Sequence, residues 1–371
     1  MGREARVQVR YIYLDRQYRQ QREEILATVD DIFSRSAFIL RPEVAQLETA
    51  LAARIGVGHA VGVNSGTDAL VIGMHALDLP RDGEVLTVAH TFVSTIAAIV
   101  QRNLKPVLVD IGDDYNMDPD AAEAAITPNT RGIVVVHLNG RVAQMDRIAA
   151  LAKKYGLAVM EDAAQALGAK FKGQGAGSFG HCAAFSLHPM KVLGAAGDAG
   201  FLTTNDAALA DDLRMLRNIG QRRKNEFETF AYNSRLDTLQ AAILLVKLAR
   251  LDHWIARRRA LAARYHSSLS RSNSLRLPPP PSDGDYFDIY SSYAIRHERR
   301  DALAEHLTEA GIETMIHWWP PLCRQPQLGL ANLDLPVTER ISREVLSIPI
   351  DPDMTDEEQD YVIEKILDFV E

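Results

Sequence analysis

A lysine, a carboxylate and a glycine turn, far apart in the chain, have the types needed to work on one molecule. Lys191 ends the run Ser186-Leu187-His188-Pro189-Met190-Lys191, just past the apolar stretch 183–187. Asp162 follows Glu161 at the end of the apolar stretch 157–160, and Ser65-Gly66-Thr67 separates the run 60–63 from a helical pattern beginning at Asp68. An amine in a partly apolar pocket has a lowered pKa, which makes it a nucleophile and then a proton carrier. A carboxylate at the carboxyl end of a strand can keep a pyridine nitrogen protonated, and a small-residue turn opening a helix offers amides to a phosphate. Those three tasks are the needs of a pyridoxal phosphate enzyme. Singly, each feature is ordinary: lysines are mostly solvated, Asp162 could cap a helix, and Ser65–Thr67 could be a plain turn with Thr67 as N-cap. The combination, joined by Asn233-Ser234-Arg235-Leu236-Asp237, carries the reading. Asp198, in the loop 194–200, reads as a structural acid.

Other patterns carry less. Gly175-Ala176-Gly177-Ser178-Phe179-Gly180 matches GxGxxG, but it precedes a strand instead of opening a helix, so it reads as accidental. His317 and Cys323 lack the further ligands of a zinc site, and no metal is expected. Trp318-Trp319-Pro320-Pro321 reads as a packed loop, with a pocket mouth as the alternative.

The elements that must position these groups follow from apolar patterning. Residues 13–56 are helical in pattern. Seven short apolar runs then alternate with helical stretches: 60–63, 85–88, 107–109, 133–136, 158–160, 183–187 and 201–203. Buried runs with helices between them predict an α/β domain around a mostly parallel seven-stranded sheet. Residues 206–270 are helical again, and four prolines, Pro278 to Pro281, break the chain. A strand at 293–296, a helix at 299–310 ended by Gly311, and an amphipathic tail helix at 356–369 predict a small α+β domain. The expected division is 13–250 for the large domain with its N-terminal helical segment, and 251–371 for the small one.

The 371 residues suit two such domains, and 47% hydrophobic with 24% charged residues is ordinary for a globular protein. A net charge of -8 argues against nucleic acid as partner. The basic run Arg257-Arg258-Arg259 reads as the solvated side of a helix whose apolar face carries Leu251, Trp254, Ile255, Leu261, Ala262 and Tyr265. Two cysteines, Cys182 and Cys323, fit a reducing compartment. Residues 1–6 lack an apolar signal core, Arg6 stands where a myristoylation signal wants Ser or Thr, and no stretch approaches the ~20 apolar residues of a membrane span. A cytoplasmic location is expected.

With these residues in view, the chain resembles the DegT/DnrJ/EryC1/StrS family of sugar aminotransferases, of the aspartate aminotransferase fold type I. The motifs that carry the resemblance are Gly62-Val63-Asn64-Ser65-Gly66-Thr67-Asp68-Ala69-Leu70, Glu161-Asp162-Ala163-Ala164-Gln165, Ser186 with Pro189 and Lys191, and Asn233 to Asp237 with Gln240-Ala241-Ala242. It runs from Tyr13-Leu14-Asp15 to Leu335-Pro336-Val337-Thr338-Glu339-Arg340 and Val345-Leu346-Ser347-Ile348-Pro349.

The resemblance implies that Lys191 holds pyridoxal phosphate through a Schiff base. It implies that Asp162 pairs with the ring nitrogen, Gln165 approaches the ring hydroxyl, and Phe92 stacks on the ring. The phosphate would meet the Gly66 and Thr67 amides and the Ser186 hydroxyl, with Asn233 reaching it from the other subunit of a homodimer. The implied reaction moves an amino group from L-glutamate to a keto sugar of a nucleoside diphosphate in two half-reactions, with Lys191 shuttling a proton. Arg222-Arg223-Lys224 are the candidates for the diphosphate. Gly197-Asp198, where relatives carry Gly-Glu, leans towards 3-keto over 4-keto sugars. Departures from the family pattern at Arg41, Asn139, Ala199, Ala231, Trp319 and Cys323 bear on substrate fit. Alternatives are a cyclitol or aminobenzoate-type precursor as acceptor, or a catalytically silent regulatory protein on the same fold. A dehydratase branch of the family carries histidine at the lysine position, and Lys191 argues against it.

Overall fold

The computed structural model describes residues 8–330 and 333–370, so the stretch 1–6 weighed above for a signal or myristoyl group lies outside the described residues. The seven apolar runs become one sheet: β1 His59–Val63, β2 Glu84–Val88, β3 Lys105–Val109, β4 Thr130–Val136, β5 Ala158–Asp162, β6 Cys182–Ser186 and β7 Gly200–Thr204. Their order is β1-β7-β6-β5-β4-β2-β3, and β7 alone runs against its neighbours.

The helices are α1 Leu14–Ser34, α2 Pro42–Ile55, α3 Gly66–Ala76, α4 Val93–Gln101, α5 Pro119–Ala124, α6 Met145–Tyr155, α7 Ala207–Arg217, α8 Thr238–Leu248, α9 Leu251–Leu269, α10 Arg300–Glu309, α11 Pro336–Glu344 and α12 Asp356–Val370. They cover both sheet faces, which is why the strands read as unbroken apolar runs. The alternation inside each strand sorts the cores. Leu86, Ile133, Val135 and Phe185 pack with α2, α6 and α8, while Val85, Val134, Met160 and Ala184 pack with α3, α4 and α7.

A second, smaller core gathers Tyr293, Leu303, Leu346 and Val362, with Val9 and Tyr13 added from the N-terminal end. Its strands β8 Tyr293–Arg296 and β9 Val345–Ile348 pair antiparallel. Helix α9 serves both cores: Leu251, Trp254 and Ile255 join the large one, and Leu261, Ala262, Tyr265 and Leu269 the small one. More than one of its sides is therefore buried. The parallel strands β5 and β6 end on the same edge of the sheet, which delivers Asp162 and Ser186 to one crevice.

Candidate active site

The crevice is a cleft of about 540 Å³ between the sheet edge and the elements of the smaller core. At one end lies the head of α3. Its N-cap is Ser65, whose Oγ accepts from the Asp68 amide at 3.0 Å. This corrects the reading of Thr67 as N-cap. Thr67 sits inside the first turn, where its Oγ1 shares a hydrogen bond with Ser94 Oγ at 2.8 Å. A Cβ on Gly66 would stand 2.6 Å from Ser186 Cβ, and one on Gly200 would stand 2.5 Å from the Ser65 carbonyl. Only glycines let α3, β6 and β7 close this far. The closure sets the Gly66 and Thr67 amides beside the Ser186 hydroxyl, an arrangement suited to an anion.

At the other end, Asp162 Oδ2 accepts from Thr95 Oγ1 at 2.7 Å, and Oδ1 accepts from the Ala164 amide at 3.2 Å. Thr95 Oγ1 is in turn 2.9 Å from Thr91 Oγ1. Gln165 points its Oε1 at the Asn139 amide, 2.8 Å away. Glu161, one residue before Asp162, is fully buried on the far face. It accepts from the Gly177, Phe179 and Gly180 amides at 2.7, 2.8 and 2.7 Å. The GxGxxG run thus folds around a carboxylate of the chain itself, as its place before a strand suggests.

Lys191 stands between the two ends. Its side chain is partly open to the cleft while its amine is enclosed, and among the described residues the amine has no hydrogen-bond partner. Burial holds its pKa below the ordinary lysine range, and the attraction of Asp162 works the other way. Phe92 presents a ring 57% exposed on the cleft wall. His317 also lines the cleft, with Nδ1 3.0 Å from Ser347 Oγ. Burial, with help from the Lys191 charge, pushes its pKa down to about 4.

Several sequence readings change here. Trp318 lines the cleft and meets His90 edge-on at 5.6 Å, so the tryptophan stretch is not simply a packed loop; Trp319 faces outward. Asp198, read as a structural acid, is exposed and lines the cleft. Arg258 is not solvated: its side chain is 6% exposed and reaches the cleft, because α9 packs into both cores. Tyr11, His317 and Arg258 also line the cleft, and the sequence gives no sign of it: His317 stands out only as an incomplete zinc ligand and Arg258 only as part of a basic run. The structure does not bring Asn233 or Arg222-Arg223-Lys224 to the cleft of the single chain. Asn233 is exposed, and Arg222 pairs with Glu228 at 2.6 Å and Asp212 at 2.9 Å on a surface hairpin.

Residues 19–367 match the DegT/DnrJ/EryC1/StrS aminotransferase family. The chain belongs to this family. Its fold is that of the pyridoxal-phosphate-dependent aminotransferases, its cofactor is pyridoxal 5'-phosphate, and its reaction class is aminotransfer. A protein of Geobacillus stearothermophilus named "Pleiotropic regulatory protein" is 42% identical over 96% of this chain and 97% of its own. A Streptomyces venezuelae protein named dTDP-3-amino-3,4,6-trideoxy-alpha-D-glucose transaminase is 40% identical over 98% of this chain and 96% of its own. The crystal structure of DesV from S. venezuelae superposes with a TM-score of 0.94 at 39% identity, covering 99% of both chains.

The residues present fit the cofactor. The cleft offers amides and a hydroxyl for a phosphate at one end and a hydrogen-bonded carboxylate at the other. An open aromatic face and an unpartnered amine lie between them. Among the described residues, no three His, Cys, Asp or Glu side chains converge as metal ligands, and no helix is long and apolar enough to cross a membrane.

Proposed function

We propose that the chain carries an amino group from L-glutamate to a keto carbon of a nucleoside-diphosphate sugar, with C-3 favoured over C-4. The observation that carries this is the Lys191 amine, enclosed without a partner and with a lowered pKa, in the same cleft as Asp162. The sugar acceptor is supported by the name of the S. venezuelae relative, which specifies a dTDP-linked 3-amino sugar. Asp198, open to the cleft beside Gly197, is where acceptor position would be sensed.

In this reading Lys191 holds the cofactor covalently, Gln165 meets its ring hydroxyl and Phe92 covers its face. The Gly66 and Thr67 amides and Ser186 Oγ take its phosphate. When bound, the cofactor supplies an electron sink for the carbon that loses its proton. Asp162, oriented by Thr95 and the Ala164 amide, keeps a proton on the ring nitrogen. With its amine free, Lys191 Nζ would take the proton from the donor's α-carbon and return it to the cofactor carbon across the nitrogen, as base and then acid. A water is consumed as glutamate leaves as its keto acid. In the second half-reaction the sugar's keto oxygen departs as water, and Lys191 moves the proton back. His317, held neutral by its low pKa, adds no charge beside that amine.

Asn233 and Arg222-Arg223-Lys224 act in this reading from the second subunit of a homodimer, on the cofactor phosphate and on the sugar's diphosphate. A second reading, a regulator on the same fold without turnover, is favoured only by the name of the G. stearothermophilus relative. Incubation with L-glutamate and matched 3-keto and 4-keto nucleotide sugars tests both. Keto acid formed beyond one equivalent per site only with the 3-keto sugar is the expected result; no turnover with any keto sugar favours the regulator.

A further inference from the structure

The small-domain wall of the cleft holds an incomplete ion pair. Arg258 lies on α9, is 6% exposed, and lines the cleft that contains Lys191. Its Nη1 donates to the carbonyls of Tyr290, Ser291 and Ile350 at 3.3, 3.5 and 3.2 Å. Those acceptors are neutral. Among the described residues Nη2 donates to nothing, Nε is buried without a partner, and no carboxylate lies within ion-pair distance of the guanidinium. Asp351 and Asp353 attract it only from further off. Ser291 Oγ, on the same wall, is likewise buried without a partner. Tyr11 completes the group, its hydroxyl 3.5 Å from Ser292 Oγ.

A guanidinium enclosed without an anion is costly unless something completes it. Donors gathered on one cleft wall, with the carboxylate missing, form half of a charge-assisted contact. We infer that Arg258, with Ser291 beside it, is the docking point for a carboxylate of the amino donor, setting the donor's amine towards Lys191. A diphosphate fits less well: it needs several cations, and this wall supplies one, almost wholly enclosed. The inference rests on the aminotransferase reading above and extends it to donor recognition.

The test uses the cofactor-loaded protein with Arg258→Gln and Arg258→Lys. Three quantities are read: the L-glutamate concentration that half-saturates the absorbance change of the donor half-reaction, the affinity for glutarate by calorimetry, and the melting temperature. Arg258→Gln is expected to raise the half-saturating L-glutamate about tenfold or more and to weaken glutarate comparably, while the nucleotide-sugar KM moves less than about threefold. Arg258→Lys, which keeps the charge, should recover part of both losses. A folded Arg258→Gln protein with both donor quantities within about twofold of the parent overturns the inference. So does an early-melting variant that loses donor and sugar half-reactions equally, with Arg258→Lys no better. If the parent binds glutarate through Arg258 but gives no reaction with L-glutamate, the aminotransferase reading fails and the carboxylate site stands.

Discussion

Glu161 and Asp162 are consecutive residues on β5 that face opposite sides of the sheet and hold different structures together. Glu161, fully buried, accepts three backbone amides and the Nε2–H of His137, 2.8 Å away, whose Nδ1 accepts from the Ala143 amide. Asp162 faces the cleft and is held by Thr95 and the Ala164 amide. The two carboxylates therefore separate stability from chemistry. Glu161→Ala leaves four buried donors without an acceptor and should cost about 3 kcal/mol or more of folding stability. Asp162→Asn keeps an acceptor for Thr95 and should cost about 1 kcal/mol or less, while lowering aminotransfer by a factor on the order of a hundred to a thousand. Urea titration beside steady-state rates checks both; equal stability losses contradict the division.

Gly66 is set by contact and not by an unusual backbone angle. A methyl there meets Ser186 Cβ at 2.6 Å and must push α3 away from β6. Gly66→Ala should cost about 1–3 kcal/mol by overpacking and weaken cofactor binding, because the phosphate-facing amides move with the helix. Cofactor titration followed by absorbance reads the second effect. Unchanged affinity would remove the turn from the phosphate site.

Acid should loosen the cleft through two histidines. Burial holds the pKa of His90 down to about 3 and that of His317 down to about 4, against 6.5 for a free imidazole. The unfolded chain therefore binds more protons in this range. The stability these neutral rings contribute is complete above pH 6.5 and is lost as pH falls towards 4 for His317 and towards 3 for His90. For His317 the loss is about 2–3 kcal/mol. Urea midpoints of the cofactor-free protein at pH 7 and at pH 4.5 should differ less in His317→Gln than in the parent. An identical pH dependence in the two proteins would contradict the assignment.

How much of this was legible beforehand differs by residue. The seven strands were readable because each is buried on both faces and so is apolar throughout. Gly66, Thr67, Phe92, Asp162, Gln165, Ser186 and Lys191 all line one cleft. Gly66, Thr67, Asp162 and Lys191 could be gathered because strand ends in an α/β sheet converge on one edge, whereas Phe92, Gln165 and Ser186 came only with the family resemblance. The sequence does not separate Thr67 from Ser65 as N-cap, because Ser, Gly and Thr in a row all suit a helix start. Arg258 was placed in solvent because periodicity shows one buried face of a helix, and α9 has more. Trp318 and Asp198 reach the cleft through loop paths that no periodicity encodes.

Asn233 and the Arg222-Arg223-Lys224 run lie outside their own chain's cleft, and the role proposed for them is played from a second subunit. Coexpression of Lys191→Ala with Asn233→Ala chains should then restore activity above either variant alone. A mixed dimer would contain one site with both native residues. No recovery in purified mixed dimers would mean that the sites are not shared. Alanine at Arg222, Arg223 and Lys224 together should raise KM for the nucleotide sugar and spare the glutamate half-reaction. Equal loss in both halves would mark the run as structural.

The central claim is that Lys191 binds the cofactor and moves the proton. The most direct measurement is the visible absorption spectrum of the purified protein with pyridoxal phosphate, before and after L-glutamate, beside Lys191→Ala. A lysine-dependent band that bleaches when glutamate is added is the predicted result. A band of the same kind in Lys191→Ala, or a parent band that no amino donor changes, would contradict the account.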